Sequence, residues 1–156
     1  MIQLFTELQE KKNVRSNLSA LRASLKEATE EQKAQAIEFV RGHEDLVFGF
    51  LQEEDAKTRK NAALLLGDLA VQNALQPLWK AYTREQTLFV KSAYLEAMKA
   101  LHAEEILSQL KDRLAELEGE PVTEENRKHR EAELRALRAI LIQYEGIDIH
   151  HFDIKQ

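Results

Sequence analysis

Apolar residues recur at intervals of three and four along most of this chain, the spacing of one face of an α-helix. Leu4, Phe5 and Leu8 mark a first helix over residues 2–11. Asn13 is expected to cap a second helix, and Val14, Leu18, Leu21 and Leu25 form its stripe. Thr29 with Gln32 three positions on reads as a capping box, opening a helix that carries Ala36, Ile37 and Val40 and stops at Gly42. A short helix over 44–52 follows. Asp55 is a good N-cap for a helix over 56–70 that is apolar almost all round, so it is expected to be sandwiched between neighbours. Asn73 is expected to cap the next helix, with Pro77 in or near its first turn and Leu75, Leu78, Trp79 and Tyr82 on its buried face. Residues 86–101 again show a two-sided stripe, with Phe89 or Val90, Ala93, Tyr94, Ala97, Met98 and Leu101. After a helix over 104–118, Gly119 and Pro121 break the chain, and Thr123 is expected to cap a long last helix reaching Tyr144. The stripe of that helix begins only at Leu134, which predicts first turns that project into solvent.

The pattern also repeats. The run from Thr58 to Leu69 overlays the run from Val90 to Leu101 at an offset of 32 residues, and Leu46 and Phe50 fall on Leu78 and Tyr82 at the same offset. A period of this size marks stacked helical pairs, each covering the apolar flank of the next. The predicted fold is therefore all-α, a helical repeat domain over residues 1–145. Residues 146–156, with Ile147, Ile149, Phe152 and Ile154, read as a tail or linker, or as the start of a strand. The helix over 30–41 fits the repeat poorly and its pairing stays open.

Among 156 residues there are only 5 Gly and 2 Pro, in keeping with an almost wholly helical chain. The formal net charge of −5 argues against sequence-blind attraction to nucleic acid, although a local basic stripe is compatible with it. The absence of cysteine excludes disulfide and thiol chemistry, and no apolar run is long enough to span a membrane. A cytoplasmic protein with no membrane association is the expectation.

Catalytic chemistry finds little footing. The five histidines, His43, His102, His129, His150 and His151, form no His-Glu-x-x-His pair and have no cysteine to share a metal with. The acidic pairs at Glu30, Glu53, Glu104 and Glu124 stand at helix starts, where they complement the macrodipole. No serine lies in a glycine-flanked elbow, and Gly42, Gly49, Gly67, Gly119 and Gly146 are scattered singly, so no cofactor loop is visible. No enzyme activity, cofactor or metal is expected. Trp79, Tyr82, Phe89 and Tyr94 occupy the apolar registers of the repeat and read mainly as core.

The basic residues form the one functional pattern. Arg15, Arg59, Lys60 and Lys91 fall in the first turns of second helices, and the last helix adds Arg127, Lys128 and Arg130. Together they are a candidate binding stripe for an RNA backbone or an acidic protein surface. The same residues also suit salt bridges between repeats or along a helix, as Glu131 with Arg135 does at i, i+4.

With Asp55, Arg59, Ala62, Leu66, Gly67 and Leu69 aligned on the second helix of a unit, the chain resembles HEAT repeats over residues 44–117. The resemblance implies a right-handed α-solenoid of the HEAT-like or armadillo kind, with about three to four helical pairs. It also implies an inter-repeat ladder to which Asp55 and Arg59 belong. In the next unit Thr87 and Lys91 occupy those places, a departure that interrupts the ladder. The opening from Leu4 to Arg15, together with residues 57–69 and 87–95, is similar to the helical N-terminal region of bacterial S-adenosylmethionine-dependent RNA methyltransferases. That likeness implies a non-catalytic accessory module contacting structured RNA or a methyltransferase catalytic domain in cis. The alternative is a stand-alone scaffold that binds another protein.

Overall fold

The structure, a computed structural model, describes residues 1–145; the predicted tail over 146–156 lies outside them. The described residues are helical, with no strand among them. In order the elements are α1 (Ile2–Gln9), α2 (Val14–Leu25), α3 (Glu30–Gly42), α4 (Glu44–Gly49), α5 (Ala56–Asp68), α6 (Leu75–Arg84), α7 (Leu88–Ala100), α8 (Leu107–Gly119) and α9 (Arg127–Glu145). Short 3₁₀ turns at Phe50–Gln52, Gln72–Ala74 and Ala103–Ile106 lengthen α4 and lead into α6 and α8. The chain divides into two compact units, Met1–Leu101 and a second that begins at His102.

In the first unit α5 is the central helix. It packs chiefly on α7 and then on α2, while α1 lies on α2 and α6 on α7. This is why the pattern of α5 runs all round: Ala62, Ala63, Leu65 and Leu66 are buried on its different sides. Gly67 faces Ala97, where an added Cβ would stand 2.9 Å from the Ala97 Cα, so the two helices approach too closely there for a side chain. Leu75, Leu78 and Tyr82 of α6 and Val90, Ala93, Tyr94, Ala97 and Met98 of α7 complete the core. The ambiguity between Phe89 and Val90 resolves in favour of Val90, which is buried, whereas Phe89 is 46% exposed.

Helix starts follow local chemistry where the donor and acceptor are three residues apart. Thr29 and Gln32 form the reciprocal capping box, and Asp55 Oδ2 accepts from the Thr58 N–H at 2.9 Å and its hydroxyl at 2.7 Å. Two expected caps differ. Asn13 is the N-cap of α2 but is left-handed, with φ 47°, and makes no side-chain cap. Asn73 does not cap α6; it lies within the 3₁₀ turn, which hands its backbone bonds straight on to the helix, and its amide donates to Glu44 instead.

In the second unit α8 lies along α9, burying Leu110, Leu114 and Leu117 with Leu134, Leu137, Ile140 and Leu141. The solvated first turns expected for the last helix are found in part: Arg127, Lys128 and Glu131 are exposed, whereas Arg130 docks on α8. Thr123 and Asn126 bond reciprocally in a turn before α9, which begins at Arg127. Arg130 then donates from Nε to the Leu117 carbonyl at 2.9 Å and from Nη2 to the Glu118 carbonyl at 3.2 Å. The last carbonyls of a helix have no partner of their own, and a neighbouring guanidinium satisfies them well.

Candidate binding surface

The ends of α4 and α6 and the starts of α5 and α7 come together in the first unit, and Arg59 organises them. Its Nε and Nη2 donate to the two Glu85 carboxylate oxygens, each at 2.9 Å, and its Nη1 donates to the carbonyls of Glu53 and Glu54, each at 2.8 Å. The Glu85 carboxylate also accepts from the Thr87 N–H at 3.2 Å and from the Tyr94 hydroxyl at 3.2 Å. Burial pushes the Glu85 carboxyl up, but its bonds to Arg59, Thr87 and Tyr94 outweigh burial and hold it below the usual carboxylate range. Burial, reinforced by the Glu85 charge, pushes the Tyr94 phenol well above its ordinary value.

A second rung lies beside this one. Arg15 of α2 stands 3.4 Å from Asp55, the residue that caps α5. The Thr58 hydroxyl first, and then its N–H and the Arg15 charge, hold the Asp55 carboxyl below its ordinary value. Asp55 and Arg59 therefore belong to different rungs, each reaching across to another helix. The sequence placed Thr87 in the acidic position of the next unit; Glu85, two residues earlier, supplies that carboxylate.

The remaining stripe residues of this unit are placed differently. Lys60 is half-buried and makes no ion pair among the described residues. Lys91 Nζ lies 5.9 Å from the Tyr82 ring centroid, a cation–π distance. In the second unit Arg127 and Lys128 are exposed at the start of α9, whereas Arg130 is engaged by the α8 carbonyls. Reasoning from sequence missed Glu133, which is 2% exposed and accepts from Arg113 Nε at 2.9 Å, with His129 at 3.7 Å.

Above the Arg59–Glu85–Tyr94 network opens a groove of about 730 Å³. One wall is Phe48, Leu51 and residues 52–54, and the other is the face of α6 carrying Gln76, Pro77, Lys80, Ala81 and Arg84. Trp79 is half-buried beside Tyr82, with ring centroids 5.4 Å apart, and takes no part in the groove. His43 is stacked on Phe39 at 4.5 Å, Phe39 on Phe5 at 4.5 Å, and the Gln9 amide nitrogen lies 2.7 Å from His43 Nε2, a structural use of that imidazole. No group of three His, Asp or Glu side chains able to hold a metal ion occurs among the described residues, and no described helix is long and apolar enough to cross a membrane. No protein-family model, curated protein or solved structure matches the chain.

Proposed function

We propose that this chain is a non-catalytic, cytoplasmic binding module with a HEAT-like architecture, a right-handed α-solenoid of about three to four helical pairs, and that its partner is a protein and not an RNA backbone. One observation carries the choice of partner. Arg59, the centre of the basic stripe, donates to two carboxylate oxygens and two backbone carbonyls, which leaves it little capacity for phosphate. Arg15 faces Asp55, Lys91 lies over the Tyr82 ring and Arg130 caps α8, so with Arg59 four of the seven stripe cations are engaged by the protein itself. The net charge of −5 points the same way. Where the likeness to RNA methyltransferase accessory regions holds, the protein partner is a catalytic domain in cis; otherwise the chain is a scaffold.

The test is titration with structured RNA at about 50 and 200 mM salt, using the wild type and a Lys60→Glu, Lys91→Glu variant. This pair leaves the Arg59 network intact. The expectation is no saturable RNA binding in either protein. Binding that falls steeply with salt and is abolished by the double substitution would overturn the proposal.

A further inference from the structure

The groove of the first unit is polar in an ordered way. Arg59 ties the Glu53 and Glu54 carbonyls to Glu85, the residue directly after Arg84, so the acidic wall residues and Arg84 lie at the same end. Phe48, Leu51, Pro77 and Ala81 supply its apolar lining. None of the Glu53, Glu54, Lys80 and Arg84 side chains makes an ion pair or hydrogen bond with the described residues. Of the charges without a partner, the two cations belong to α6 and the two carboxylates to the segment before α5, so a ligand with a single sign of charge meets repulsion as well as attraction. Phosphate backbones fail on this ground.

The amide groups narrow the choice further. Gln52, Gln76 and Gln86 line the groove with Thr87, and none of the three amides has a partner among the described residues. Each amide both donates and accepts, the capacity required by a backbone whose own N–H and C=O groups are unpaired. A helical ligand satisfies its backbone internally and has no need of them. In an extended segment successive side chains point to opposite sides, so neighbouring acidic and basic residues would meet the Lys80/Arg84 wall and the Glu53/Glu54 wall respectively.

We infer that this groove binds a short extended peptide segment of a protein partner, with apolar residues at one end followed by adjacent acidic and basic residues. The inference deepens the protein-binding reading and rests on it. The probe is the hexapeptide acetyl-Val-Leu-Asp-Lys-Asp-Lys-amide, titrated into the ¹⁵N-labelled chain and followed by NMR. Saturable shifts are expected at Phe48, Gln76, Lys80 and Arg84. A control peptide with Asn and Gln in place of the charges should bind about tenfold more weakly, and so should the probe to a Lys80→Glu, Arg84→Glu variant. Both substituted residues are exposed, and an unchanged circular dichroism melt establishes that the fold is kept.

Absence of saturable shifts in the groove, or equal binding of charged and neutral peptides, overturns the inference. The outcome for RNA is read separately. If the peptide fails and RNA also does not bind, the groove assignment falls and the protein-binding reading stands. If RNA displaces the peptide from the same resonances, both fall.

Discussion

Replacing Arg59 by Met keeps most of the side chain's length and removes its charge and all four hydrogen bonds. The Glu85 side chain is 6% exposed and that of Arg59 17%, so the substitution strands a nearly buried carboxylate. Breaking such a pair costs about 3–5 kcal/mol when both charges are fully buried. Here the network forms the floor of an open groove and water reaches part of it, which lowers the expectation to about 2–3 kcal/mol. For a chain of this size each kcal/mol moves the midpoint by about 2–4 °C, so Arg59→Met should melt about 5–10 °C below the wild type. Glu85→Gln should cost less than Arg59→Met, because its amide oxygen still accepts from the guanidinium. The double variant should be less destabilised than the sum of the two, with a coupling of about 1–3 kcal/mol. Urea denaturation followed by circular dichroism measures all three, with Lys60→Ala as a reference expected to lie within about 0.5 kcal/mol of the wild type. If Arg59→Met matched Lys60→Ala, or if the two effects simply added, Arg59 would not be a structural strut and its guanidinium would be available to a ligand.

Other outcomes follow from the same packing. Gly67→Ala should destabilise by about 1–3 kcal/mol in urea, because its Cβ would stand 2.9 Å from the Ala97 Cα, a backbone atom that can yield only by parting α5 from α7. Glu133→Ala should cost about 1–3 kcal/mol, since it removes the buried carboxylate that holds Arg113, which keeps only the more exposed Glu116 and Glu120; unchanged unfolding would show the pair to be dispensable. Acid should weaken the fold through Glu85. Its carboxyl is held below the unfolded value of about 4.3, so its contribution is present above that pH and is lost as the pH falls through the lower, folded value. A melt series from neutral pH to about pH 3 should therefore show a loss of stability below about pH 4.3 that is smaller in Glu85→Gln.

The apolar stripes and two of the expected caps were legible because their partners are neighbours in the sequence. Thr29 with Gln32, and Asp55 with Thr58, act across three residues, and the two-sided stripe of α5 announced its burial between α2 and α7. What escaped was decided at long range. Glu85 is 26 residues from Arg59, and Glu133 is 20 from Arg113. The signal for Glu85 was present but displaced, since the aligned position holds Thr87 and the carboxylate stands two residues before it. The longer glutamate side chain reaches from there to Arg59, as the shorter Asp55 reaches Thr58 within its own turn. The start of α9 was read only in part for a related reason. Its apolar stripe begins at Leu134, and Arg127, Lys128 and Glu131 before it are indeed exposed, but periodicity gave no sign that Arg130 docks on α8 through polar bonds.

The two rungs of the first unit show why a periodic charge is a poor guide to a binding surface. Arg15 and Asp55 are each about half exposed, at 53% and 45%, and a pair of that kind contributes little to stability. Arg59 and Glu85 sit in the same relation one helix further along, but deep enough that the planar guanidinium holds a carboxylate and two carbonyls together. Lys91 occupies the register of Arg59 one period later, yet an ammonium is a point charge that cannot reproduce this fork, and it lies over the Tyr82 ring instead. Three cations in equivalent positions of α2, α5 and α7 thus have three different roles. Depth and side-chain geometry separate them, and these are set by what the neighbouring helix presents. The proposed partner site therefore lies not along the repeat of basic residues but in the groove above the Arg59–Glu85 rung, which Lys80, Arg84, Glu53 and Glu54 help to line.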